Sequence, residues 1–406
     1  EVLIRRGAIG EAADTIDGAL GERVTLRPDQ TERLAAAAIG AAEASLQDRS
    51  EAPATLRLID AVRSRSATLP EPLHRARIVL LALTGEPGDA LGAVRDASRE
   101  MPASALDIHR LAIQALREAQ RPSEALRVAE EAGLTLRPIA GPVALEWLNL
   151  AVTQADGESA ERAVKTIVDD RVTRELFGAN QRGVQPDDGA LAANLAVEVG
   201  MLLTQAGADD GADALYRLAL RYNPRNPMAN NNLGYRMLER GEDLEEAERL
   251  IATAYEEDPT DLPTIDSLGW ARYLRGVLED VPNEGGEPTE GAVTLLRRAA
   301  SMTDPDLDDA TYVIVHDHLG DALWASGRAD EAVQAWTRAQ RVARRTVETL
   351  TAQGSPESEW TLGEREVAAI LPSIARKIDA VAAGEEPPLA KPGAPPPAAA
   401  PPAGAS

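Results

Sequence analysis

The chain is 406 residues long, 44% hydrophobic but only 3% aromatic, with no cysteine and a formal charge of −24. Without cysteine there is no disulfide, no thiolate zinc site and no cysteine nucleophile. The acidic balance excludes nucleic acid, whose phosphates call for Lys and Arg, and no uncharged apolar run of membrane-spanning length occurs in this portion.

From the N-terminus, Glu1-Val2-Leu3-Ile4 reads as the end of a helix and no Met precedes it. Sequence is expected upstream, as more chain or as a leader removed by processing, and any export or lipidation signal would sit there. The compartment is left open between a bacterial cytoplasm and a cell envelope. After Gly7 a pattern begins: a small residue, an apolar one four positions on, and a second small one after three more. Ala12, Ile16 and Ala19 set it first. Ala54, Leu58 and Ala61 repeat it, then Ala90, Val94 and Ala97, then Ala125, Ala129 and Ala132. Such steps place these residues on one face of a helix, and no alternating stretch is long enough for a strand. Residues 1–136 therefore read as degenerate helical repeats. Residues 137–192, where Ala163 and Ile167 keep the pattern, read as an irregular helical repeat with its connecting loop.

Residues 193–354 carry the pattern in full. Val199-Gly200, Leu203, Gly207, Ala212, Tyr216, Ala219 and Pro224 form one unit, and Leu233-Gly234, Met237, Gly241, Ala247, Ile251, Ala254 and Pro259 the next. Leu268-Gly269 opens a third, whose second half resumes at Ala292, Leu296 and Ala299 after a Pro/Gly/Glu-rich insertion at 277–289. A fourth has Leu319-Gly320, Leu323, Gly327, Ala332, Trp336 and Ala339. These spacings resemble the tetratricopeptide repeat (TPR), a helix–turn–helix unit. In it small residues let two antiparallel helices approach, larger apolar ones fill the gaps, and a glycine makes the turn. The small residues that open the second helices, from Ala12 to Ala332, recur at steps of 35 to 49 residues. The resemblance implies an all-α fold: a right-handed α-solenoid of eight to nine stacked helix pairs, without a β-sheet, that binds protein.

Beyond Thr361, residues 362–383 offer Val367, Ile370, Leu371, Ile374 and Ile378 on a helix that Pro372 should bend or divide. They read as a capping helix over the exposed face of the last repeat. Residues 384–406 are almost entirely Pro, Ala and Gly. They hold too little apolar bulk to offset the entropy of ordering, and a disordered tail is expected.

His316-Asp317-His318 with Asp321 gathers metal-ligating side chains at close spacing. On a helix His316 and His318 point to different sides, and the pairs that share a face give two ligands, too few for a structural zinc. Asp304-Pro305-Asp306-Leu307-Asp308 imitates a calcium loop, but Asp309 stands where that loop needs Gly and Val315 where it needs Glu. No phosphate-binding loop, nucleophile elbow or HExxH pair occurs, and the four histidines form no local triad. The sequence therefore points to no catalytic residue, no cofactor and no metal.

In the TPR family the first helix of each unit lines a concave groove. Carried over residue by residue, the resemblance places Asn194 there from the first clear unit and Asn231 and Tyr235 from the second. Asp266, Trp270 and Tyr273 come from the third, and Asp317, Asp321 and Trp324 from the fourth. It implies that the two Asn hold a peptide backbone, the four rings act as anchors and the three Asp favour Arg or Lys on the ligand. No lining residue is Lys or Arg, a departure from family members that clamp a C-terminal carboxylate. The acidic runs Glu242–Glu246 and Glu256–Asp258 read as solvated faces. The expected function is a non-catalytic scaffold that binds a protein or peptide partner, apolar and basic, with no nucleic acid and no membrane insertion. The alternative is the accessory region of a larger enzyme, or of a bacterial cell-envelope assembly or secretion factor.

Overall fold

The small residues spaced along the sequence decide the architecture. Ala12, Ala54, Ala90, Ala125, Ala163, Ala212, Ala247, Ala292 and Ala332 are each at most 8% exposed, and each from Ala54 onward lies on a second helix that packs against the helix before it. The structure, a computed structural model, describes residues 3, 6, 8–20, 27–136, 141–169, 188–283, 286, 288–307, 309–354 and 356–389. After α1 (Ile9–Leu20) come consecutive helix pairs: α2 (Pro28–Gln47) and α3 (Ala52–Arg63), α4 (Glu71–Thr84) and α5 (Asp89–Glu100), α6 (Ala105–Glu118) and α7 (Pro122–Thr135), α8 (Gly141–Thr153) and α9 (Gly157–Asp169). They continue with α10 (Asp188–Gln205) and α11 (Asp209–Tyr222), α12 (Pro227–Arg240) and α13 (Leu244–Glu257), α14 (Leu262–Leu274) and α15 (Ala292–Met302), α16 (Asp309–Ala325) and α17 (Ala329–Gln353). A last helix, α18, spans Leu362–Ala382. The fold class is all-α, a helical solenoid of TPR-like repeats, and the described residues contain no strand.

The chain divides into two compact units, residues 1–186 with 202–212, and residues 187–201 with 213–406. In the first, α4 packs on α5 and on the next first helix, α6. In the second, α14 packs on α15 and on α16 in the same way. The pair α8/α9, expected to be irregular, is an ordinary helix pair. Residues 170–187, on which the expected loop falls, lie outside the described residues.

Closeness within a pair rests on one glycine per clear repeat. A Cβ on Gly200 would stand 2.8 Å from the Tyr216 ring, on Gly234 2.6 Å from Ile251, on Gly269 2.7 Å from Leu296, and on Gly320 inside the Trp336 indole. Each neighbour is the large residue that the pattern placed on the partner helix. Replacing Gly234 by Ala is therefore expected to cost about 1–3 kcal/mol through overpacking. Gly92→Ala, on a helix where a Cβ meets nothing within 4 Å, should gain up to about 1 kcal/mol from helix propensity. Urea unfolding of the two variants measures the contrast.

Local chemistry fixes where helices begin and end. Asn226, Asp243 and Asp261 cap α12, α13 and α14 by accepting from the backbone N–H of Ala229, Glu246 and Thr264. Gly241 and Gly327 turn the chain after α12 and α16 at φ of 66° and 81°, which a side chain would resist. The acidic runs lie on exposed faces, where some of their carboxylates pair with arginines. Glu242 pairs with Arg240 and Glu246 with Arg249. Elsewhere acids link neighbouring second helices, as Glu131 of α7 does with Arg95 of α5, and Glu130 with Arg162 of α9. Such exposed pairs contribute about 0–1 kcal/mol each. In the insertion, Val281 and Thr289 exchange two backbone hydrogen bonds of 2.9 Å, an isolated antiparallel bridge that closes the loop before α15.

Of the two outcomes expected at Pro372, a bend or a division, the structure excludes the division: Pro372 lies inside α18, which runs from Leu362 to Ala382. A capping box starts it: Glu364 N–H donates to Thr361 Oγ1 at 3.2 Å and Thr361 N–H to Glu364 Oε2 at 2.6 Å. Of the tail expected at 384–406, residues 390–406 lie outside the described residues.

Candidate functional site

The first helices α12, α14 and α16 pack side by side, and α18 packs on α16 and α17 as the next first helix would. Gly363, near its start, lies against Ala310 at the start of α16. Fourteen residues later, on the same helix, Lys377 enters the face that the resemblance assigned to a partner. Its Nζ donates to both carboxylate oxygens of Asp317 at 2.9 Å and to Asp321 Oδ1 at 2.6 Å. All three residues are buried: Lys377 is 4% exposed, Asp317 5% and Asp321 2%. Trp336 of α17 completes the grip, its Nε1–H donating to Asp321 Oδ1 at 2.9 Å, with the Lys377 ammonium 5.8 Å from its ring.

A second buried pair adjoins the first. Asp266 of α14 meets His318 of α16, Nδ1 to Oδ2 at 3.0 Å. The His318 ring stacks on Trp270 with centroids 4.2 Å apart, and Trp270 on Tyr273 at 4.8 Å. Three carboxylates thus share two basic groups in a site walled by aromatic rings, and the electrostatics follow. Burial carries the Asp321 carboxyl up to about 6, with the charge of Asp317 adding to the rise and Lys377 opposing it. Burial alone would lower Lys377, yet Asp317 and Asp321 hold its ammonium above the ordinary lysine range. Burial likewise works against a charged His318, and the neighbouring Asp266, then Asp317 and Asp321, outweigh it and raise the imidazole. The Tyr273 hydroxyl is pushed up by burial and by the charges of Asp321 and Asp317.

Of the nine residues that the sequence singled out, the structure brings Asp266, Trp270, Tyr273, Asp317 and Asp321 together and buries them. Trp324 stands at their edge, half-buried, its ring 6.0 Å from that of Trp336. Tyr235 is half-buried on α12, and its hydroxyl is raised by burial and then by Glu239, Asp266 and Glu366, the last contributed by α18. Asn194 and Asn231 take no part in the cluster. Asn194 Oδ1 accepts from the Asn226 side chain at 3.0 Å, whereas Asn231 Oδ1 is buried without a hydrogen-bond partner. On the same first helices Met201 and Met228 are exposed, 41% and 46%. The face is therefore open at α10 and α12 and filled at α14 and α16.

Sequence reasoning missed Lys377, His318 and Trp336 as members of the site. Lys377 did leave a signal: in a chain whose bases are nearly all arginine, one of three lysines stands between Ile374 and Ile378, on the apolar side of its helix. His318 was weighed only as a metal ligand. No group of three or more His, Asp or Glu side chains among the described residues is placed to hold a metal ion, and no helix there is long and apolar enough to cross a membrane.

The packing of glycines against the large residues of the partner helices, together with the run of paired helices, is that of TPR-like repeats. No family model matches it. A TPR repeat-containing protein of Pseudomonas aeruginosa is 39% identical over 64 residues, 16% of this chain and 11% of that protein. The chain thus spans about a tenth of the length of the curated relative it matches. Among solved structures, that of Naa15/Naa10 bound to HypK-THB aligns over 93% of this chain and 58% of the other, at 13% identity and a TM-score of 0.27, too loose a superposition to carry an inference.

Proposed function

We propose that this TPR array is a non-catalytic scaffold that takes a partner protein through a segment both apolar and basic, laid along the face of α10, α12, α14 and α16. The observation that carries this reading is the occupant already there. Helix α18 presents Val367, Ile374 and Lys377 to the array and gives the single lysine to Asp317 and Asp321. It has the chemistry that the lining residues call for. Upstream, the exposed Met201 and Met228 supply apolar contact. Beside them, the unpartnered Asn231 oxygen supplies an acceptor for a ligand N–H, while Asn194 keeps its amide N–H₂ for a backbone carbonyl.

The test is affinity capture with the intact chain, followed by titration of the captured segment against variants of the open end. Met228→Asp and Asn231→Ala should each weaken binding, the second by about 1 kcal/mol, the worth of one hydrogen bond to a buried acceptor. Unchanged affinity in both variants would remove this face as the binding surface.

A further inference from the structure

Resting on that reading, we infer that α18 is a displaceable occupant of the groove, and that the partner is an amphipathic helix carrying its own lysine or arginine to Asp317 and Asp321. The hold on α18 is narrow. Of its 21 residues only Val367, Ile374 and Lys377 are buried, whereas α17 buries eight. Elements with few buried contacts open at a lower free energy than the body of the fold. Pro372 removes one backbone donor from the middle of the helix, and the connection from α17 passes through Gly354, in a left-handed turn at φ 68°.

The electrostatics are also unfinished. Around Lys377 stand Asp317, Asp321 and His318 on α16, Asp266 and Tyr273 on α14, and Trp336 on α17, so three carboxylates face one lysine and one histidine. A competing helix with a second cation near this position would satisfy the site better than α18 does. A fixed cap would have no use for a lysine buried between two carboxylates, because apolar residues of similar volume hold a helix at least as firmly.

The chain has no cysteine, so one engineered pair can lock the helix without ambiguity. Ala310 Cβ lies 3.0 Å from the position of a Cβ on Gly363, inside the roughly 3.5–4.5 Å that a disulfide spans, so a small outward shift of the helix start accommodates the bond. The probe is a fluorescent synthetic peptide of residues 362–383, titrated into the full chain, into Lys377→Met, and into the Ala310→Cys/Gly363→Cys chain before and after reduction. The Lys377→Met chain should bind the peptide about tenfold more tightly than the parent, because its own helix competes less. The oxidised pair should not bind it, and reduction should restore binding to the parent level. Equal binding by the oxidised and reduced pair, or no binding by any chain, overturns the inference. The locked pair decides the matter even if Lys377→Met folds poorly. Failure here would confine the partner to α10 and α12, where the titration at Met228 and Asn231 tests binding by itself, so the two readings fall separately.

Discussion

Replacing Lys377 by Met is expected to lower the stability of the unit that contains α14–α18 by about 3–5 kcal/mol near pH 8, the usual cost of removing one member of a buried ion pair. The cost comes from what remains: Asp317 and Asp321, both buried, lose the cation that their oxygens contact at 2.6–2.9 Å. Acid should soften the loss. Asp321 already binds its proton with a value near 6, and without the ammonium it would bind it more readily still, so below pH 6 its orphaned carboxylate is partly neutralised. The parent chain should show a weaker trend of the same sign. The folded-state values of Asp321 and His318 both lie above their ordinary ones. For His318, the favourable pairing with Asp266 is complete below its unfolded value and lost as pH rises through the folded value. For Asp321, the cost of ionisation appears as pH rises through about 6. Both make this region more stable in mild acid than in mild base. Urea titrations at several pH values measure the trend, and Lys377→Met combined with Asp317→Asn and Asp321→Asn should recover most of the loss.

Trp336→Ala is expected to cost about 3–5 kcal/mol, the range for truncating a fully buried aromatic residue. The indole is 0% exposed, fills the space over Gly320 and donates to Asp321. Trp336→Phe should cost less, since it keeps a ring over the glycine and loses chiefly the hydrogen bond. The decisive feature is coupling. Gly320→Ala alone forces a methyl into the indole, but on the Trp336→Ala background that methyl enters vacated space, so the double variant should be more stable than the sum of the two losses. Denaturant unfolding of the four chains yields the coupling, and simple additivity would deny the close approach.

The repeat was legible because its physics is local. A glycine on one helix and a large residue on the next stand at a fixed offset, as Gly320 and Trp336 do, and helix propensity with hydrophobic period expresses the rest. Even the degenerate N-terminal half kept Ala90, Val94 and Ala97 at 0% exposure. The lining residues were legible as positions on first helices, but their partners were not. Asp266 meets His318 across 52 residues, and Asp317 meets Lys377 across 60. No local spacing encodes such pairs. The sequence showed three acids in want of a cation and an apolar helix with a lysine among its isoleucines, and only the packing of α18 joins them. Pro372 misled for a related reason. A proline costs a helix one hydrogen bond, and the burial of Val367 on one side and Ile374 on the other accompanies a helix that continues through it.

The central claim is that Lys377 is buried between two carboxylates under a seated α18, and amine reactivity tests it directly. The sequence holds three lysines; Lys165 has a 45% exposed side chain and Lys377 one of 5%. Brief treatment of the native chain with an amine-acylating reagent, followed by peptide mass spectrometry, should modify Lys165 and spare Lys377 until denaturant is added. Modification of Lys377 at the rate of Lys165 in the native chain would contradict the account.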